Sequence, residues 1–270
     1  MNNGKFDVGT VIKGEDLKGE IFCKVLTENM DMRGFQYKIG INEDVKPLAT
    51  EGSCKAGLHF CLVKNICRYL CYGSKLALVS IPDDEDVYID NNKFRTHRLE
   101  IKKIMHLGDV ATWMYLRENG ADITAYGDYA VKWAAGSGYL EVVKYLHENG
   151  ADITSGNNEA VRWAAKYGHL KVVMYLHTIG ADITTLNNEA VICAASAGCL
   201  ETVKYLHQNG ADITAENNQA FICAARWGHL KVVKYLHRNG ADITAKDNCA
   251  IRLAAQNGRT DVVEYLKANM

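Results

Sequence analysis

The sequence has 270 residues, of which 48% are hydrophobic and 23% are charged, as in an ordinary globular protein. Its 31 basic and 32 acidic side chains leave a net charge of -1, which provides no overall field for nucleic acid or an anionic membrane. The chain has no apolar run of about 18 residues or more and no apolar signal core, so we expect an intracellular protein that does not span a membrane. We therefore expect its nine cysteines to be reduced thiols.

Residues 1–90 contain short stretches rich in β-branched and aromatic residues, a composition that predicts strands. These stretches are 20–27, 35–42, 75–82 and 86–90. A helix-like segment covers residues 63–73. The sequence therefore predicts a small α+β domain over residues 1–90.

This domain holds five soft side chains that are candidate zinc ligands: Cys54, His59, Cys61, Cys67 and Cys71. On an α-helix, Cys67 and Cys71 would lie on one face. The segment has no Cys-x-x-Cys pair, and free cysteine is often buried as a small hydrophobe. We therefore favour buried thiols and expect no metal and no cofactor. The carboxylates of residues 83–86 could bind a cation, but a solvated turn between two strands explains them more simply.

From Asn91 the sequence divides into six rows of thirty residues, since 270 − 90 = 180 = 6 × 30. The hexapeptide Asn-Gly-Ala-Asp-Ile-Thr marks this period. It begins at Asn119, Asn149, Asn209 and Asn239, and Ile179 replaces its asparagine in the remaining copy. A fixed period of this length indicates stacked supersecondary units.

Each row contains two apolar-periodic segments on either side of a glycine, and each segment has one apolar stripe of helical spacing. The rows therefore predict helical hairpins. Gly150 and its equivalents suit the left-handed position after the second helix. A column of short polar residues suits the N-cap of the first helix. It consists of Asp128, Asn158, Asn188, Asn218 and Asn248. In the first row, residues 98–108 place Ile104 and Met105 where other rows have paired alanines, so we expect a degenerate capping helix there.

The recurring pattern Ala-Ala-x-x-Gly-His-Leu-x-Val-Val-x-Tyr-Leu, followed by Gly-Ala-Asp, resembles the ankyrin repeat over the last five rows. The resemblance implies a mainly α chain, an ankyrin-type α-solenoid over residues 91–270. Two features depart from the family. The period is three residues shorter than the usual length of about 33, and the Thr-Pro-Leu-His tetrapeptide is missing. We therefore expect no β-hairpin finger between Thr124 and Asp128. The style resembles ankyrin proteins of giant amoeba-infecting viruses, and residues 1–90 resemble the uncharacterised domain that precedes their arrays.

Histidines recur at one position of the second helix, and tyrosines recur two positions before them. The histidines are His147, His177, His207 and His237. Neighbouring helices stack about 8–10 Å apart, whereas two histidines on one zinc each need a nitrogen about 2.0–2.1 Å from the ion. The histidine column therefore predicts a polar surface, and the tyrosine column predicts packing with hydrated hydroxyls.

Variation among near-identical rows points to a surface on the first helices. By resemblance to ankyrin arrays, the variable columns face the concave side, and they carry large aromatics with two neighbouring cations. The predicted partner-binding residues are Trp133, Trp163, Lys166, Tyr167, Arg226 and Trp227. Tryptophan and tyrosine are enriched among residues that dominate binding energy. Burial of the tryptophans between neighbouring first helices is the open alternative.

These observations predict a monomeric, non-enzymatic interaction scaffold that binds a protein partner. For a viral chain, that partner would be a host protein in the host cytoplasm. A second hypothesis makes the N-terminal domain an enzyme, because residues 55–70 resemble the strand-helix element of ADP-ribosyltransferases. A pocket lined by His59 and Tyr69 beside a carboxylate would favour that hypothesis. A third hypothesis is a structural component of a viral particle or factory.

Overall fold

The computed structural model describes residues 6–44 and 57–270. Its contacts divide the chain into two compact units, Met1–Tyr129 and Ala130–Met270, called here the N-terminal and C-terminal units. Within the described ranges, no helix combines the length and the apolar character needed to cross a bilayer. The eight cysteines in those ranges form no disulfide.

The N-terminal unit is built on an eight-stranded sheet in which every pairing is antiparallel. The strands are β1 (Val11–Lys13), β2 (Phe22–Leu26), β3 (Asp31–Met32), β4 (Phe35–Gln36), β5 (Gly40–Glu43), β6 (Leu58–Leu62), β7 (Lys75–Ser80), β8 (Asp86–Asp90), β9 (Lys93–Thr96) and β10 (Arg98–His106). The sheet order is β1-β8-β9-β6-β2-β7-β10-β5, and β3 pairs with β4 in a separate ribbon. The strands predicted at 20–27, 75–82 and 86–90 are confirmed, while the stretch at 35–42 is divided between β4 and β5.

Three phenylalanines from adjacent strands form the centre of the core in this unit. The ring of Phe22 on β2 lies 5.2 Å from that of Phe60 and 5.3 Å from that of Phe94, measured between centroids, with an edge-to-face arrangement in both pairs. Phe60 and Phe94 stack at 5.4 Å. These geometries are favoured by the aromatic quadrupole. The packing fixes β2, β6 and β9 side by side.

The segment predicted as a helix after β6 is a 3₁₀ helix, Val63–Tyr72. Residues four apart in a 3₁₀ helix differ by about one third of a turn, because it has three residues per turn. Accordingly, Cys67 is buried and Cys71 is exposed. The prediction that both thiols lie on one helical face is therefore wrong.

The capping helix predicted over residues 98–108 is also wrong, because Arg98–His106 is strand β10. Its register pairs Ile104 with Ala77 and Met105 with Leu76 of β7. Ile104 and Met105, which replace the paired alanines, thus belong to a sheet and not to a helix. Only the second helix of the first row is present, as α1 (Val110–Glu118), and its Trp113 is fully buried.

The five remaining rows are helical hairpins, as predicted. Their helices are α2 (Ala125–Gly136), α3 (Leu140–Glu148), α4 (Ser155–Lys166), α5 (Leu170–Thr178), α6 (Thr185–Ser196), α7 (Leu200–Gln208), α8 (Ala215–Trp227), α9 (Leu230–Arg238), α10 (Ala245–Gln256) and α11 (Thr260–Asn269). From α4 onward, each first helix packs on its own second helix and on the next first helix, and second helices pack in series from α3 to α11. Glycine takes the predicted left-handed backbone after the second helices α1, α3, α5, α7 and α9, with φ of +100° at Gly150.

The hexapeptide has a structural role at each of its last four positions. In the row from Ala181, the alanine and Ile183 are buried. Between them, Asp182 Oδ1 accepts hydrogen bonds from the Thr184 hydroxyl at 2.7 Å and from the Thr184 amide at 2.8 Å. The hydroxyl bond is the main reason that the pKa of the Asp182 carboxyl lies below its usual value. The same Asp-x-Thr turn recurs in the other rows.

A three-residue left-handed turn follows each Asp-x-Thr turn, in place of the family's finger. The turns lie inside the bounds given above for the first helices, at residues 126–128, 156–158, 186–188, 216–218 and 246–248, so the regular part of each first helix begins after its turn. Their φ angles lie between 51° and 66°. Asparagine, aspartate and glycine tolerate this region better than other residues, which explains why they dominate the second and third positions.

The polar column at the third position of these turns links one repeat to the next. Asn158 Oδ1 accepts the backbone N–H of Asp182 at 2.9 Å, and its Nδ2 donates to Thr185 Oγ1 at 3.0 Å. Asn188 and Asn218 accept the equivalent N–H of the following row, each at 2.8 Å. An N-cap residue has extended backbone and accepts from its own helix. The N-cap prediction for these asparagines is therefore wrong.

Candidate functional site

The two most exposed aromatics of the predicted site stand in one column of the repeats. Tyr167 follows α4 and is 58% exposed, and Trp227 ends α8 and is 46% exposed. Each has a cation beside its ring. Lys166 Nζ lies 5.5 Å from the Tyr167 ring centroid, and the Arg226 guanidinium carbon lies 5.3 Å from that of Trp227. Both distances are within the range of cation–π contacts.

The row between these two aromatics carries small residues at the same positions, Ser196 and Ala197. Neighbouring helices pack about 8–10 Å apart, so two rows separate Tyr167 and Trp227 by roughly 16–20 Å. Ala197 is exposed. In this column, the small residue Ala197 therefore lies between two exposed aromatic residues.

The tryptophan column one turn earlier serves packing more than exposure. Trp133 is only 9% exposed, and its ring lies 5.6 Å from that of Tyr139. Trp163 is half-buried against the preceding first helix, where a Cβ added at Gly136 would come within 3.2 Å of its ring. Trp133 is buried and Trp163 packs on the preceding first helix, so the two tryptophans do not form a continuous exposed strip with Tyr167. Placing Trp133 on the partner-binding surface is a prediction that the structure corrects.

Three of the four histidines in the column, His177, His207 and His237, contact a tyrosine hydroxyl of the next repeat, whereas His147 Nδ1 has no hydrogen-bond partner among the described residues. His177 Nδ1 lies 2.9 Å from the hydroxyl of Tyr205, and the equivalent distance from His207 to Tyr235 is 2.8 Å. The hydroxyls of Tyr205 and Tyr235 thus have a histidine partner, which the sequence did not predict. The other histidine column bonds to backbone, with His169 Nε2 3.0 Å from the carbonyl oxygen of Gly136. Both columns use histidine to join repeats.

The candidate zinc ligands do not converge in the part of the chain that the structure describes. Cys54 lies outside the described residues. Cys61 and Cys67 are buried in the unit while Cys71 is exposed, and burial raises the pKa of the Cys67 thiol to about 12. Residues 6–44 and 57–270 hold no group of three or more His, Cys, Asp or Glu placed to bind a metal.

The acidic segment before β8 is partly structural. Asp83 pairs with Lys18 at 2.7 Å on the surface. Glu85 is buried, and its Oε1 accepts hydrogen bonds from the Thr96 hydroxyl and from the backbone N–H of Arg98. The expectation of a solvated turn thus holds for part of the segment, while Glu85 ties the turn to the sheet.

His59 and Tyr69, singled out by the enzyme hypothesis, do line one cavity of the N-terminal unit. Its volume is about 110 Å³. The charged lining residues are Lys24, Arg33 and Lys93, and no carboxylate of the described residues lines it. Among the described residues, the lining therefore lacks the carboxylate that the enzyme hypothesis requires.

The C-terminal unit is thus an array of hairpins joined by repeated side-chain bonds and carrying exposed aromatics, the features of a repeat protein built for binding. Family models of ankyrin repeats match residues 128–177, 161–247 and 192–270. A model described as a domain of unknown function (DUF7666) matches residues 21–112. The chain belongs to the ankyrin repeat proteins and carries this domain at its N-terminal side.

Similar proteins occur in Acanthamoeba polyphaga mimivirus. One relative, named as an ankyrin repeat protein, is 33% identical over 118 residues, which are 40% of this chain and 38% of the relative. Another, named as an uncharacterized protein, is 33% identical over 135 residues, 46% of this chain and 95% of the relative. A third, again named as an ankyrin repeat protein, is 34% identical over 147 residues, 47% of this chain and 53% of the relative.

The matches to the two relatives named as ankyrin repeat proteins therefore span about two fifths to one half of their length. Ankyrin arrays are protein-binding modules, and family membership gives this chain a role in protein–protein interaction. The viral relatives also agree with the resemblance drawn from the sequence. The domain matched at residues 21–112 is one of unknown function.

Proposed function

We propose that the chain is a non-enzymatic adaptor whose repeats form a solenoid and hold one partner protein on the concave side of the first helices. The observation that carries the proposal is the pair Tyr167 and Trp227, each exposed and each next to a cation. The same column holds Ser137, Ala197 and Asn257 in the other rows. A scaffold has no need of large exposed aromatics in two rows of five.

The chemistry of this surface suggests the kind of segment that it binds. Exposed tyrosine and tryptophan offer large apolar area at low entropic cost, and the neighbouring cations attract carboxylates. Ala197 leaves room for a side chain between them. The partner segment would therefore carry apolar side chains spaced by roughly 16–20 Å, with acidic residues close to each.

The half-buried Trp163 belongs to the proposal as a support for Tyr167. A Cβ at Gly136 would lie 3.2 Å from the Trp163 ring and 3.6 Å from that of Tyr167, so both rings rest on the same glycine. Removing the Trp163 ring would leave Tyr167 without its neighbour. We expect Trp163 to act on binding through this packing.

The test uses the whole chain and an Acanthamoeba lysate, because the partner proposed here is a host protein and similar proteins occur in Acanthamoeba polyphaga mimivirus. Proteins retained by the wild type and lost with Tyr167→Ala and with Trp227→Ala are identified by mass spectrometry, and the purified partner is then titrated. We expect each substitution to weaken binding by about 2 kcal/mol, roughly 30-fold.

The matched control is Leu186→Ala. Leu186 is also a large, half-exposed apolar residue of the repeats, but it lies in a left-handed turn outside the proposed surface. Its loss should leave the partner affinity unchanged. If all three substitutions weakened binding equally, or if none of them weakened it, this surface would be removed from the proposal. Light scattering on the purified chain tests the expected monomer, and a self-associated chain would favour a structural role in a viral particle or factory.

A further inference from the structure

The cavity of the N-terminal unit lies beside β2 and β6, and its lining includes both cationic and aromatic side chains. It is about 110 Å³ in volume. Lys24 on β2 and His59 on β6 form part of its wall, and the exposed Arg33 and Tyr72 stand where it meets solvent. Cavities of this kind with a few convergent polar groups are the usual sites of small ligands.

Lys24 is a buried cation with no carboxylate partner among the described residues. Its side chain is 6% exposed, its Nζ donates to the backbone oxygen of His59 at 2.7 Å, and it lies 4.8 Å from the Tyr37 ring centroid. Burial, with a smaller contribution from the nearby Arg33, lowers the pKa of the Lys24 ammonium to about 7. A buried charge is costly unless an opposite charge compensates it. An anion in the cavity would supply that compensation.

His59 adds a hydrogen-bonding group at the same place. Its Nε2 is buried and has no hydrogen-bond partner within residues 6–44 and 57–270. Burial, followed by the charge of Lys24, lowers the pKa of the His59 ring to about 3, so the imidazole is neutral. A neutral imidazole can donate one hydrogen bond. An anionic oxygen between Lys24 and His59 would accept from both.

The outer part of the cavity is aromatic. Tyr69 and Tyr72 stack with their ring centroids 6.3 Å apart and an interplanar angle of 24°. The Tyr69 hydroxyl is held by the backbone oxygen of Asn92 at 3.1 Å. Fixed ring faces beside a cationic pocket recognise a planar ring that carries a negative group.

We propose that this cavity binds a small phosphate monoester of an aromatic compound, with the phosphate at Lys24 and His59 and the ring against Tyr69 and Tyr72. A dianionic phosphate suits this cationic lining better than a single carboxylate does, with Lys24 as its main contact because Lys93 pairs with Asp90 at 3.4 Å. The volume accommodates the phosphate, and the ring lies toward the solvent side. The site is independent of the partner surface on the repeats.

Calorimetric titration of the full chain with phenyl phosphate tests the proposal directly. Phenyl phosphate should bind at one site, cyclohexyl phosphate at least tenfold more weakly, and phenol below detection. Absence of saturable binding by phenyl phosphate would overturn the site. Equal affinity for cyclohexyl phosphate would overturn the aromatic part of the proposal.

Two variants connect binding to the named cations. Lys24→Met should reduce the affinity for phenyl phosphate at least tenfold, and Arg33→Gln, at an exposed position, should reduce it about threefold without affecting folding. Lys64→Gln is the matched control, because Lys64 is exposed on the adjacent 3₁₀ helix and does not line the cavity. Binding that is unchanged in both Lys24→Met and Arg33→Gln, with native circular dichroism, would contradict the proposal.

Discussion

The bonds between repeats can be measured by comparing Asn158→Ala with Asn248→Ala. The two asparagines have nearly the same backbone, with φ and ψ of 59° and 38° at Asn158 and 58° and 35° at Asn248. Only Asn158 makes the two bonds to the following repeat, to the N–H of Asp182 and to the hydroxyl of Thr185. Asn248 Oδ1 is buried and has no partner among the described residues. Comparing the two variants therefore separates the contribution of the hydrogen bonds to stability from that of the backbone conformation.

The expected magnitudes follow from these contacts. Alanine in the left-handed region costs about 1 kcal/mol in both variants. Each hydrogen bond lost at Asn158 contributes about 1 kcal/mol more. Asn158→Ala should therefore lower the free energy of unfolding by about 3 kcal/mol, and Asn248→Ala by about 1 kcal/mol. Asn158→Gly, which adopts this backbone without strain, should cost about 2 kcal/mol.

Urea unfolding followed by far-ultraviolet circular dichroism measures all three variants against the wild type. A change in the transition midpoint without a change in slope reports stability alone. Equal losses for Asn158→Ala and Asn248→Ala would refute the argument, because the backbone would then account for the whole effect. A loss of stability close to zero in Asn158→Gly would also refute the argument, because the two hydrogen bonds of Asn158 would then contribute nothing measurable.

Three further outcomes are expected. Leu186→Gly, in a left-handed turn with φ of 53°, should raise the free energy of unfolding by about 1 kcal/mol in urea titration. Trp133→Ala should lower it by about 3–5 kcal/mol because it leaves a cavity, whereas Trp227→Ala should change it by less than about 1 kcal/mol. The pKa of Lys24 is lowered on folding, so the unfolded chain binds more protons above pH 7. Hydrogen exchange in β2 should therefore slow, beyond its intrinsic pH dependence, between about pH 7 and 8.5, and Lys24→Met should abolish this stabilisation.

The repeat, the helical hairpins and the left-handed glycines could be predicted from the sequence, because each depends on local spacing. Apolar residues three and four apart define one face of a helix wherever they occur. Glycine after a helix indicates left-handed backbone for the same local reason. The exposed pair Tyr167 and Trp227 was also found from the sequence, since it stands out against rows that otherwise hardly differ.

Tertiary structure decided the features that depend on a partner distant in sequence. The asparagine column looked like an N-cap because both roles require a short polar side chain, yet its partner is an amide 24 residues later. Residues 98–106 looked like a repeat helix, but pairing with β7 makes them a strand. Trp133 and Tyr167 are both large aromatics of variable columns, and only the folded structure shows that Trp133 is 9% exposed and Tyr167 58% exposed. Lys24 became a candidate ligand-binding residue only when the sheet buried it, since burial without a counter-charge has no local signal in the sequence.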